Sequence, residues 1–338
     1  MIKRGKAGQP AFPLPMKKLL IALFLLSSSL LFASGAGETP RIGVAIYDFN
    51  DSFMSEIRNA IADASKGRIP VTIFDAEKRQ QRQNEQIESF IENGYDAIIV
   101  NSVDRTASGV IIEKCRKSNV PIVFINREPV KDDMAKWDKV YYVGAHAEDA
   151  GRMAASILEE YWFAHPEADK NDDGILQFAI IKGETGHQDT ELRTEYFIET
   201  LLEAGIPLEK LNENTGEWTR EKGRDVMNDF LSRSGDSIEA VFANNDDMAL
   251  GAIEALKENG YFQDGKYIPV IGIDGTPAGR EALEEGTLLG TVYNDAYNQG
   301  NAAYNIAFEL ASGRIPTEES IGYEMNGKYV WIAHSKLE

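Results

Sequence analysis

The reading turns on residues 169–193: DKNDDGILQ at 169–177, FAII at 178–181 and KGETGHQDTELR at 182–193. The first nine residues have the spacing of a calcium loop, and the next four form an apolar strand. The rest is a polar turn that opens a helix and carries His187, Asp189 and Arg193. In open α/β sheets, ligands bind at the carboxyl ends of the strands. A cluster of hydrogen-bonding side chains just past a strand therefore marks a candidate site.

Outward from this stretch, short apolar strands alternate with amphipathic helices. Strands at 42–47, 71–74, 97–101 and 121–126 alternate with helices at 53–66, 80–93 and 106–117. Segment 127–139 is charged and without a clear period, which reads as a crossing between halves. A second series follows, with strands at 140–143, 176–181, 240–243, 270–273 and 289–293. Its helices fall at 147–163, 190–204, 226–231, 248–258 and 277–285, leaving over a helix at 298–312 and a strand at 329–333. Unbroken apolar runs such as AIIV at 97–100 fit a parallel sheet covered by helices on both faces. The expected class is α/β, two Rossmann-like halves built from the same βα unit. A chain of 338 residues is long enough for two such domains.

With 43% hydrophobic and 26% charged residues, the make-up is that of a soluble protein. Residues 1–36 differ. Lys17 and Lys18 precede an apolar run at 19–32 that ends in the small residues ASGA at 33–36, the plan of a cleaved secretory signal peptide with its start at Met16. The run is short for a membrane span. Without the five basic residues of 1–35, 30 Lys and Arg face 54 Asp and Glu, a net charge of −24. Such a surface repels nucleic acid and anionic membranes. The one cysteine, Cys115, has no partner for an internal disulfide and reads as a buried, inert thiol.

Polar residues recur where strands end: Asp51, Asn101, His187 with Asp189, Asn245, Asp274 and Asn294. Each alone is a good helix N-cap. Together on one sheet edge they suit a polyol, whose hydroxyls both donate and accept. No glycine-rich dinucleotide or phosphate loop follows any strand, and four scattered histidines with one cysteine do not make a zinc site. Nothing marks out an acid–base pair for hydrolysis.

In the calcium loop, Asp169, Asn171 and Asp173 stand at positions 1, 3 and 5, with Gly174 at the sharp turn. Ile175 would offer its carbonyl at 7 and Gln177 an amide oxygen at 9. Position 12, normally a bidentate glutamate, is Ile180. Either the loop is a polar turn that binds nothing, or a distant carboxylate completes it.

On RIGVAIY at 41–47, DSFMS at 51–55, KGETGHQD at 182–189 and ANND at 243–246, the chain resembles the periplasmic galactose/glucose-binding proteins, sugar receptors of bacterial ABC importers. The likeness covers about 41–330. It implies two lobes joined by three crossings and closing on ligand, with 41–125 plus 296–328 in one lobe and 126–294 plus 329–338 in the other. It implies sugar contacts at Asp51, Asn101, His187, Asp189, Arg193, Asn245, Asp274 and Asn294, with Phe53 and Trp218 sandwiching the sugar ring. It supplies Glu239 as the missing ligand of a structural Ca2+. It further implies a monomeric, non-enzymatic periplasmic protein that delivers D-galactose or D-glucose to an inner-membrane permease and also to a chemoreceptor. A receptor of the same fold feeding a sensor with another sugar or signal is the alternative. Two departures stand out: Gln188 where a proline is common, and an early end at Glu338.

Overall fold

The computed structural model describes residues 39–338, together with Met1, Ile2, Gly5 and Gly8. The leader segment expected at 1–36 lies, those four positions apart, outside the described residues.

The first lobe begins β1 (Ile42–Ile46), α1 (Ser52–Ala64), β2 (Val71–Asp75), α2 (Gln80–Glu92), β3 (Ala97–Val100), α3 (Ser108–Lys117) and β4 (Ile122–Ile125). A short helix α4 (Lys131–Met134) and β5 (Val140–Gly144) follow. Here the structure departs from the expected boundary. Segment 127–139 does not cross between lobes, because β5 pairs in parallel with β4, from Ile122↔Val140 to Ile125↔Val143. Residues 126–144 therefore belong to the first lobe, and the chain leaves it only after Gly144.

The second lobe runs α5 (Ala147–Ala164), β6 (Leu176–Lys182), α6 (Gln188–Glu203), β7 (Leu208–Thr215), α7 (Arg220–Ser234), β8 (Ala240–Ala243) and α8 (Asp246–Glu258). It continues through β9 (Val270–Asp274), α9 (Pro277–Glu284) and β10 (Gly290–Tyr293). The chain then returns. Helix α10 (Ala296–Ala311) packs on α1 and on β3, β4 and β5, next to α11 (Glu318–Ile321). Strand β11 (Tyr329–Trp331) pairs with β5 in the first sheet, and β12 (Ser335–Leu337) pairs antiparallel with β10 in the second. So 329–331, expected in the second lobe, belongs to the first, and the last crossing falls between β11 and β12.

The strand orders are β11-β5-β4-β3-β1-β2 and β12-β10-β9-β8-β6-β7. Both sheets have buried central strands and helices on both faces, which is why β3, β4 and β8 are wholly buried apolar runs. Two cores result in each lobe, one per sheet face. Ile57, Ile99 and Tyr304 anchor one and Phe90, Ile98 and Phe124 its counterpart. Phe178, Phe197 and Phe242 anchor a third, and Met227, Phe230 and Leu256 the fourth. Each such side chain contributes about 1.5–3 kcal/mol of burial. Cys115 is fully buried, and burial pushes its thiol up to about 12. Strand β7 was not expected: its residues LEKLNENT are mostly solvent-facing at a sheet edge and lack an apolar run. Helices α7 and α8 pack closely through two glycines. A Cβ on Gly251 would strike the Arg220 carbonyl, and one on Gly223 would lie 2.6 Å from the Met248 carbonyl oxygen.

Candidate ligand-binding site

The carboxyl edges of the two sheets face each other across a cleft, and the lobes touch over it. Ser52 Oγ donates to Asp247 Oδ2 at 2.6 Å, Arg127 to Glu184 Oε2 at 3.0 Å, and Gln188 Nε2 to Glu128 Oε2 at 3.0 Å. The last bond uses the residue standing where a proline was expected, and proline could not make it.

Deep in the cleft, where the two lobes meet, lies a small cavity. Eight of the ten sugar-contact candidates wall it: Asp51 and Phe53 from the first lobe, and His187, Asp189, Arg193, Trp218, Asn245 and Asp274 from the second. Asn101 and Asn294 do not. Asn101 is fully buried behind the wall, where its Nδ2 donates to Ile125 O at 3.1 Å and to Asn126 Oδ1 at 3.2 Å. Asn294 is also buried and its Oδ1 is taken by Gln299 Nε2 at 2.6 Å. In their place the structure adds Tyr47, Asn126 and Arg127. Asn126 follows β4 directly, so a polar residue at a strand end was the signal that would have found it.

Several wall residues double as helix caps. Asp51 Oδ1 accepts from Met54 N at 2.9 Å, Asn245 Oδ1 from Met248 N at 3.0 Å, and His187 Nδ1 from Asp189 N at 3.1 Å. The cap bond on Nδ1 leaves the His187 proton on Nε2. Burial, reinforced by Arg127 and Arg193, holds this imidazole well below its ordinary pKa, so it is neutral.

Arg193 is the electrostatic centre. Its guanidinium lies 3.3 Å from Asp189 and 4.0 Å from Asp274, and donates to Asn244 O at 2.8 Å. Burial pushes both carboxyls upward, Asp274 well above its usual range, and Arg193 only partly offsets this. Asp274 has no other side-chain partner among the described residues. Arg193 Nε and Trp218 Nε1 are buried without partners. Unpaired buried groups of this kind cost about 1–3 kcal/mol each. A ligand that both donates to carboxylates and accepts from these N–H groups would relieve that cost.

Backbone strain gathers here as well. Asn126 (φ 63), Trp218 (φ 66) and Asp274 (φ 125) all have positive φ. Asparagine tolerates this readily; tryptophan and a strand-end aspartate do so at a cost that clusters at functional sites.

The calcium loop is folded as a tight turn on itself. Asp172 (φ 57) and Gly174 (φ 74) turn the chain, and Asp169 Oδ2 accepts from Gly174 N at 2.8 Å. Asp173 accepts from Ile175 N at 2.8 Å and from Gln177 Nε2 at 2.9 Å, while Asn171 Nδ2 donates to it at 2.9 Å. Glu239 does reach the loop: its two oxygens accept from Lys170 N at 2.6 Å and Gln177 N at 2.9 Å. Among the described residues, no group of three or more His, Cys, Asp or Glu is gathered as a metal site. One acceptor oxygen is nonetheless left over, since Gln177 Oε1 is buried without a partner among the described residues.

Fold and cleft together define a two-lobed ligand receptor. The chain belongs to the periplasmic binding protein family, whose domain matches residues 42–315. It is 37% identical over 322 residues to the D-galactose/methyl-galactoside binding periplasmic protein of Haemophilus influenzae, covering 94% of each chain. It is 33% identical to a putative rhizopine-binding protein of Rhizobium meliloti, over 88% of this chain and 92% of that one. Among solved structures, a Bacillus halodurans ABC transporter solute-binding protein with bound myo-inositol superposes with a TM-score of 0.75 at 30% identity. That match covers 90% of this chain and 96% of the other. The family is one of binding proteins, not of catalysts.

Proposed function

We propose that the chain is an exported receptor that captures D-galactose and/or D-glucose between its lobes and delivers it to an ABC permease. The carrying observation is the cavity itself, where Asp51, Asp189, Arg193 and Asp274 stand beside Phe53 and Trp218. Charged groups with unfilled bonding capacity suit a hydroxyl-rich rim, and aromatic rings suit the apolar C–H faces of a pyranose. The relative in Haemophilus influenzae, a D-galactose/methyl-galactoside binding protein, supports the choice of hexose. The contacts between the lobes describe a closed state, which a bound sugar would favour by its differential affinity. A permease, or a chemoreceptor, would then read closure by a monomeric protein.

The same reading includes a structural Ca2+. Asp169, Asn171, Asp173, the Ile175 carbonyl, Gln177 and Glu239 would hold it, and the orphaned Gln177 Oε1 supports the assignment. The ion would pin the loop that leads into β6, away from the sugar.

Isothermal titration calorimetry with galactose, glucose, ribose, xylose and myo-inositol tests the ligand. One-to-one binding to a hexose, lost in Asp274→Ala, is the expected result. Binding of myo-inositol or a pentose alone would move the ligand class; no binding at all would remove the sugar reading.

A further inference from the structure

Two further cavities lie beside the inner one. All three share Tyr47 and Trp218 in their walls, and the larger outer chamber, which is open to solvent, also shares Asp51. Its other walls include Lys78 from the first lobe and Arg220 from the second.

The two lobes build this chamber with the same device. After edge strand β2, Glu77 (φ 51) and Lys78 (φ 57) are both left-handed; after edge strand β7, so are Glu217 (φ 47) and Trp218 (φ 66). Two hydrogen bonds match between the turns, and Lys78 N adds another, to Tyr47 O at 2.7 Å. Glu77 N bonds to Asp75 Oδ1 at 2.8 Å, and Glu217 N to Thr215 Oγ1 at 3.2 Å. Arg79 N bonds to Ala76 O at 3.0 Å, and Thr219 N to Gly216 O at 2.9 Å. Consecutive non-glycine residues in this region are costly, and such strain persists where it presents a side chain to a ligand. Trp218 walls the inner cavity. Lys78, its counterpart on the opposite lobe, walls only the outer chambers.

We infer that the outer chamber is a second subsite, which takes a neutral, hydroxyl-rich ring attached to the sugar held in the inner cavity. The ligands admitted then include disaccharides or similar hexosides, with Lys78 as the specificity-determining residue of the outer ring. The charges argue for a neutral substituent: Lys78 pairs with Asp48 at 3.3 Å, Arg220 with Glu254 at 2.7 Å, and Asp247 accepts from Ser52. Both cations are already paired with carboxylates, Asp247 is hydrogen-bonded, and each retains bonding capacity for hydroxyls. Tyr47 and Trp218 border both spaces, so they can pack against a ring on either side.

The inference rests on the hexose reading, and the test separates the two. Calorimetry would compare galactose and glucose with lactose, melibiose, maltose and cellobiose, on the wild type and on Lys78→Gly. That variant removes the side chain and suits the left-handed backbone. At least one disaccharide should bind within about tenfold of its parent hexose, and Lys78→Gly should weaken it about three- to tenfold while leaving the hexose within about twofold. Hexose binding with every disaccharide rejected would overturn the second subsite and leave the hexose reading standing. Disaccharide binding indifferent to Lys78→Gly would overturn the assignment to this chamber. Failure of all sugars would end both.

Discussion

Arg127 and Glu184 face each other across the cleft, 3.0 Å apart, one from each lobe. Arg127 is buried, lies 3.9 Å above the Tyr47 ring and donates to Val103 O at 2.7 Å, so its guanidinium is already fixed in the first lobe. Glu184 supplies only the link to the second. Its side chain is 48% exposed, which screens the pair and limits it to about 0.2–1 kcal/mol.

Glu184→Ala should therefore weaken ligand binding by about two- to fivefold, through loss of a bond made only when the lobes are closed. Small-angle scattering should show the unliganded variant shifted to a larger radius of gyration, with an unchanged melting temperature. An unchanged scattering profile would mean that this pair does not hold the lobes together.

Gln188 offers a cleaner probe of closure. It is the first residue of α6, where proline is well tolerated, and His187 before it has φ −75 and ψ 132, a conformation that proline allows in its predecessor. Gln188→Pro should keep the helix and the His187 cap while deleting the bond to Glu128. The expected outcome is a melting temperature equal to or above that of the wild type, with a modest loss of affinity. A large drop in stability would show that the turn depends on the glutamine side chain.

These contacts explain what was legible in the sequence. Polar residues at strand ends pointed to the cleft, because a parallel sheet puts all its carboxyl ends on one edge. The rule reached Asp274 and Asn245 but was not carried to Asn126, and it could not tell that Asn101 lies one layer behind it. Strand β7 escaped because an edge strand needs no apolar run. The lobe boundary was misplaced because α4 and its charged surroundings resemble a crossing until β5 is seen to pair with β4. The bonds between lobes join residues 57, 60 and 195 apart in the chain, and local pattern does not register at such separations.

His334 contributes stability that is lost as the pH drops below about 6.5. It is buried between β11 and β12 with Nε2 unpartnered, and burial, with Arg193 and His146 nearby, lowers its pKa to about 3. The unfolded chain takes up this proton at about 6.5 and the folded chain does not, so the stabilisation is complete above 6.5 and is lost towards 3. His187 acts with the same sign. Buried carboxyls oppose them: Asp246 titrates at about 6 against 3.8 when unfolded, which adds stability as the pH falls between those values, and burial pushes Asp189, Asp247 and Asp274 in the same direction. His334→Leu removes this contribution, so between pH 6.5 and 4 its melting temperature should rise relative to that of the wild type. An identical pH profile in the variant would show that His334 does not titrate on unfolding.

Calcium can be tested apart from sugar because its proposed loop lies at the start of β6 and the cleft at its end. Asp173 is the hub, accepting from Ile175 N, Asn171 Nδ2 and Gln177 Nε2. Turning the two amides over would present their oxygens to an ion, and Gln177 Oε1 has no bond to lose in the exchange. At a hundredfold excess over its dissociation constant, an ion bound only to the folded state adds about 2.7 kcal/mol. That corresponds to roughly 5 °C in melting temperature for a chain of this size. Adding a chelator to the wild type should produce such a drop. Asp173→Ala should melt at the lower temperature with or without chelator, and its hexose affinity should change by less than about twofold. Coincident wild-type melting curves with and without chelator would refute the ion, leaving a polar turn closed by its own backbone bonds.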